Sequence, residues 1–172
     1  MTATLEDARV LRMRARFGGV DELTIVDAQE RLFDLSCLMW FGYAVTAADE
    51  RRTSTANLSK EASRRADSVA RSALTQTRVQ RISYNSPLEV FLLISGAAGS
   101  AAVVGRTIMG LHEATQRARR TAAETQTFVL AHELIREGLR SRMDLDLDAL
   151  LEFTEGAGRA LADTSSLNVE PE

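Results

Sequence analysis

The chain has 172 residues, 45% hydrophobic and 26% charged, which is one domain's worth of globular material and excludes wholesale disorder. A single cysteine, Cys37, excludes an intrachain disulfide and a Cys-based zinc site. The net charge of −3 is unevenly spread: residues 51–81 carry eight basic and two acidic side chains, and residues 143–172 carry one basic and eight acidic. These two blocks can pair within the molecule or between subunits.

Aromatic residues make up only 5% of the chain and there are two prolines. The apolar share leans on Ala and Leu, which favours helix over sheet. The opening Met1 to Asp7 is acidic and polar and does not read as a signal peptide, so the expected location is the cytoplasm.

From Val10 to Phe17, Arg12, Arg14 and Arg16 alternate with Leu11, Met13, Ala15 and Phe17. Period two over this length predicts a half-buried strand with one arginine face, ended by Gly18-Gly19. Three alternating arginines could take a phosphate, but a solvated sheet face accounts for them. Thr24 then suits a helix cap, with Asp27 near the positive helix end. Ile25, Ala28, Leu32, Leu35 and Met39 form one stripe of this helix. Past Leu35 the apolar character widens, so the far end is buried all round or lies at an interface. Cys37 falls in this run and reads as a buried, inert thiol.

Residues 46–57 are polar and predict a loop. A weak amphipathic helix follows over Leu58 to Ala73, with Arg64, Arg65 and Arg71 on its polar side. No aromatic platform accompanies that charge, which argues against nucleic acid. Residues 78–84 alternate again and predict a second strand. Its direction relative to the first is open.

The segment from Tyr84 to Leu111 organises the rest. Ser86, Pro87 and Glu89 have the spacing of a capping box with proline at the first helical position, so the main helix is expected to start at Pro87. Small residues recur four apart from Ser95 to Gly105, which lets two helix backbones approach closely. The spacing places Ala97, Ala101, Val104, Gly105, Ile108 and Leu111 on the expected interface with a second copy. A break near Gly96 would leave a helix from Ala97 to Arg140, about 65 Å long if unbroken. It must bend back near Arg119 to Glu124 or project onto another subunit. The lack of Gly or Pro between Leu111 and Glu137 favours projection. Val90 to Leu111 reaches the length of a bilayer span only by including Arg106, which leaves a membrane-associated role through residues 88–111 as a third reading.

Asp144, Asp146 and Asp148 alternate with Leu145 and Leu147. They read as carboxylates at the start of a short helix from Asp146 to Thr154. The remainder, past Gly156 and Gly158, reads as a polar, disordered end. The organisation expected is therefore a single α+β domain over 1–143 and an acidic C-terminal helix and tail over 144–172.

No HExxH, P-loop or nucleotide-binding glycine motif is present. His112 and His132 lie about 30 Å apart along one straight helix, too far to share a site. The stretch Arg106-Thr-Ile-Met-Gly-Leu-His112 resembles the arginine-to-histidine motif of HEPN-type ribonucleases. That resemblance implies an all-helical dimer with Arg106 and His112 as catalytic residues, paired across the subunits. The two strands depart from it.

The sequence therefore predicts a helix-dominated α+β fold with two short strands and a long central helix. The first functional reading is a non-enzymatic, self-associating structural or adaptor protein, with itself as partner and neither cofactor nor metal. The alternatives are a HEPN-like ribonuclease and a membrane-associated effector.

Overall fold

The computed structural model describes residues 10–18, 24–52, 60–83, 87–95, 100–121 and 123–171. The elements run β1 (Val10–Phe17), α1 (Ile25–Arg52), α2 (Lys60–Leu74), β2 (Arg78–Ser83), β3 (Leu88–Ser95), α3 (Ser100–Arg119), α4 (Glu124–Arg140), α5 (Leu151–Asp163) and β4 (Thr164–Pro171). This is a helix-dominated α+β fold, as the composition predicts. The four strands form one antiparallel sheet in the order β2-β3-β1-β4.

β1 is formed as the alternation predicts. Leu11, Met13, Ala15 and Phe17 are buried against the helices, and Arg12, Arg14 and Arg16 face the other way. α1 starts at the expected cap. The Asp27 N–H donates to Thr24 Oγ1 at 3.1 Å, and the Thr24 N–H donates back to Asp27 Oδ2 at 2.9 Å. Those bonds hold the Asp27 carboxyl below its ordinary range. α1 then continues through residues 46–52, where a loop was expected. Val45, Thr46, Ala47 and Ala48 are all buried, so tertiary packing keeps the helix going where the local sequence is neutral.

The largest correction concerns residues 88–95, which form a strand and not the start of a helix. Leu88, Val90, Leu92 and Ile94 face the core, and Glu89, Phe91, Leu93 and Ser95 lie on the opposite face. Pro87 precedes the strand, a position where its missing N–H interrupts no ladder. Ser86 lies outside the described residues. β3 lies between β1 and β2 and pairs antiparallel with each, so the two strands expected from the sequence run parallel to one another without touching.

The long helix is two helices. α3 ends at Arg119 and α4 begins at Glu124, and α3 packs against α4. The turn uses neither Gly nor Pro. Thr121 donates from its N–H and its Oγ1 to the Ala118 carbonyl, each at 3.0 Å, and Gln126 Oε1 accepts from the Ala123 N–H at 3.4 Å. The helix bends back and does not project. The C-terminal segment is also more ordered than expected. α5 packs on α1 and α4, and β4 completes the sheet beside β1, from Phe17↔Thr164 to Leu11↔Pro171.

Close approach between layers depends on small residues. A Cβ on Gly42 would stand 3.0 Å from both Ile108 Cδ1 and Val104 Cγ1, and one on Gly105 would stand 2.9 Å from Val169 Cγ1. α3 is thereby seated between α1 and the sheet. Polar ties fix the other helices. The Trp40 Nε1–H donates to Asp67 at 2.9 Å, joining α1 to α2. Arg159 bonds Asp34 through two nitrogens at 2.9 and 3.1 Å, joining α5 to α1. Burial pushes the Asp34 carboxyl up, against the pull of Arg159.

Candidate functional site

The helices cover one face of the sheet. On the other face the strand register builds a grid. Arg78, Leu93, Arg12 and Glu170 form one row, Arg81, Phe91, Arg14 and Asn168 the next, and Ser83, Glu89, Arg16 and Ser166 the third. A register shift between Val79 and Arg81 puts Arg78 and Arg81 on the same side. A bulge has this effect because one extra residue inverts the alternation beyond it. Five arginines and two glutamates thus share the face, a net charge of +3 on a chain whose total is −3.

The centre of the grid is apolar and half-buried. Phe91 is flanked by Arg14, whose Cζ is 5.4 Å from the ring centroid, and by Arg81 at 6.0 Å. Both distances suit cation–π contact. Glu89 Oε1 lies 2.6 Å from Arg14 Nη2 and 3.6 Å from Arg16 Nε, while Glu170 lies 3.8 Å from Arg12. These contacts orient the guanidinium groups and leave them exposed: the side chains of Arg14 and Arg16 each keep 47% of their accessible surface. A shallow depression of about 460 Å³ lies over Arg12, Arg14, Arg81 and Phe91. The face supplies charge, planar donors and a small apolar floor, and its two carboxylates are engaged by Arg12, Arg14 and Arg16.

The residues singled out from the sequence lie elsewhere. On α3, Arg106 is exposed and His112 is buried at 7% exposure. Six residues at 100° each place them about 120° apart around the helix, so they do not converge. Burial lowers the His112 pKa, and its Nδ1 has no hydrogen-bond partner. His132 sits on α4, bonded to Thr154 at 3.1 Å and stacked on Phe128. The four-stranded sheet is also foreign to an all-helical ribonuclease.

The expected interface is consumed inside the chain. Ala101, Val104, Gly105 and Ile108 are buried in the core, Leu111 is half-buried, and Ala97 lies outside the described residues. The small-residue spacing therefore serves contact with α1 and the sheet, and in this fold that face is closed to a second copy. Residues 88–95 are strand and α3 carries charge, and no helix among the described residues is long and apolar enough to cross a membrane. Among the described residues no three His, Cys, Asp or Glu side chains gather to hold a metal. Cys37 is buried against Gly156, and burial pushes its thiol up to about 12.

No protein-family model, curated protein or solved structure matches this chain. Sequence reasoning found Arg12, Arg14 and Arg16 as one face but not the companions that make it a surface. Phe91 and Leu93 were assigned to a helix. The inversion that turns Arg78 and Arg81 onto the face has no signal of its own in the sequence.

Proposed function

We propose that this protein is a non-enzymatic adaptor that binds an acidic polypeptide through the open face of its sheet. The observation that carries the reading is the concentration of five arginines around Phe91 and Leu93, on a face that none of the described helices covers, in an acidic molecule. Guanidinium groups take carboxylates through paired donors, and the apolar floor adds contact area that bare charge does not supply. Such a patch also speeds encounter with a partner of opposite sign.

Two features favour carboxylates over a nucleic acid. Sequence-tolerant binding of single strands relies on open aromatic faces, and the one ring here is flanked by Arg14 and Arg81. A continuous phosphate backbone would also run over Glu89 and Glu170, whereas separate carboxylates can be placed around them.

The test is fluorescence anisotropy with a labelled polyglutamate peptide and a labelled oligouridylate, each against the native chain and Arg14→Glu/Arg81→Glu. The expected result is polyglutamate binding that weakens with salt and falls about tenfold or more in the variant, since losing two partly exposed charge contacts costs about 1.4 kcal/mol or more. Tighter binding to the oligouridylate, or equal binding by the variant, overturns the reading.

A further inference from the structure

We infer that the acidic partner is a second copy of this chain, docking its Asp144–Asp148 segment on the arginine face to give a head-to-tail assembly. The inference rests on the proposed role of that face and names its occupant. Asp144, Asp146 and Asp148 are exposed while Leu145 is half-buried and Leu147 is buried, so the segment presents carboxylates at every second residue. Arg12, Arg14 and Arg16 repeat at the same interval along β1. Alternate residues of β1 stand about 6.6–6.8 Å apart, whereas the acidic segment bends at Leu147 and Asp148. The two rows share a two-residue interval and carry opposite sign, so each carboxylate has a guanidinium to meet. The charges also balance, three carboxylates against a face of net +3.

The segment is held for presentation. Asp146 Oδ1 accepts from the N–H groups of Asp148 and Ala149 at 3.1 and 3.3 Å, and the Asp144 N–H donates to Ser63 Oγ at 2.8 Å. Asp148 approaches Arg136 at 3.4 Å but keeps 89% of its side-chain surface. It remains available to a stronger partner.

Pairing within one molecule is closed off by the fold. The segment follows α4 and precedes α5, and α5 is 13 residues long, about 20 Å, before it reaches β4. The segment is tied to α2 and α4 in the helical layer, through Ser63 and Arg136, and the arginine face is turned away from that layer. Two different surfaces meeting in this way form a heterologous contact, which closes into a ring or grows as a filament.

The test uses the full chain at low salt, with mass measured by light scattering and folding by circular dichroism. The native chain is expected to rise above one chain's mass as concentration increases, and to return to it when salt screens the contact beyond about 3 Å at 1 M. Asp144→Asn/Asp146→Asn/Asp148→Asn lacks the acidic row, and Arg14→Gln/Arg16→Gln lacks two residues of the basic row. Each should remain a single chain on its own. Mixed in equal amounts, they should form a two-chain particle and stop there, because each supplies the half that the other lacks. A native chain that stays single, a mixture that stays single, or a variant that associates like the native chain overturns the inference. The asparagine variant keeps the arginine face, so its binding of polyglutamate is read in parallel. If that binding persists while the native chain does not associate, only the inference fails; if it too is absent, the proposed function fails with it.

Discussion

Gly42 and Ile108 give the sharpest test of how the helical layer is built. Ile108 is fully buried, and a Cβ on Gly42 would lie 3.0 Å from its Cδ1 and 3.2 Å from its Cγ1. Carbon pairs rest at about 3.5–4.0 Å, so Gly42→Ala forces Ile108 and Val104 back by several tenths of an ångström. The strain should cost about 1–3 kcal/mol, offset by the roughly 1 kcal/mol that alanine gains over glycine inside a helix. Ile108→Ala alone leaves a cavity and should cost about 2–5 kcal/mol. In the double variant the new methyl enters the space that Ile108 vacates. Its clash is relieved and part of the cavity is filled, so the double should be more stable than the sum of the singles by about 1–2 kcal/mol. Urea unfolding followed by circular dichroism and by Trp40 fluorescence measures all four corners of the cycle. Strict additivity would refute the seating of α3 on α1, because residues without contact do not couple.

Two further outcomes follow from buried titratable groups. The folded pKa of His112 lies below its ordinary 6.5, because burial opposes the charged ring. The unfolded chain therefore binds more protons in that range, so stability is full above pH 6.5 and falls as pH drops through that value towards the folded pKa. His112→Leu should flatten this dependence relative to the native chain, the shared carboxylates and His132 cancelling in the comparison; parallel curves from denaturant titrations would show His112 exposed. Cys37, with its thiol raised to about 12, should not react with a disulfide reagent at about pH 8 while folded and should give one equivalent in urea. Rapid reaction of the folded protein would contradict the close packing of α5 on α1 at Gly156.

What the sequence discloses depends on whether the two faces of an element differ in chemistry. β1 was legible because its inward residues are apolar and its outward residues are arginine. β3 was not, because Phe91 and Leu93 make its outer face apolar too, and an unbroken apolar run behind a capping signature imitates a helix. β4 fails in the opposite way. Only Leu167 and Val169 mark its buried side among polar residues, and its strand character comes from pairing with β1. The helix break at 120–123 is made by Thr121 and needs neither of the residues that usually announce a turn. The arginine face was visible only in part: its β1 row is local in sequence, while Arg78, Arg81, Phe91 and Glu170 reach it only through strand order.

The pairing of Leu11 with Pro171 joins the first strand of the chain to the last. During translation at about 5–20 residues per second, the apolar side of β1 waits about 8–30 s before its β4 neighbour exists. Through that interval the nascent chain carries an unflanked strand bearing Leu11, Met13, Ala15 and Phe17, with β3 as its only available ladder. The three arginines interleaved with those residues have a role here that is independent of any partner. They put a charge at every second position of the strand most exposed to pairing with a neighbouring nascent chain, and like charges set opposite one another oppose that pairing.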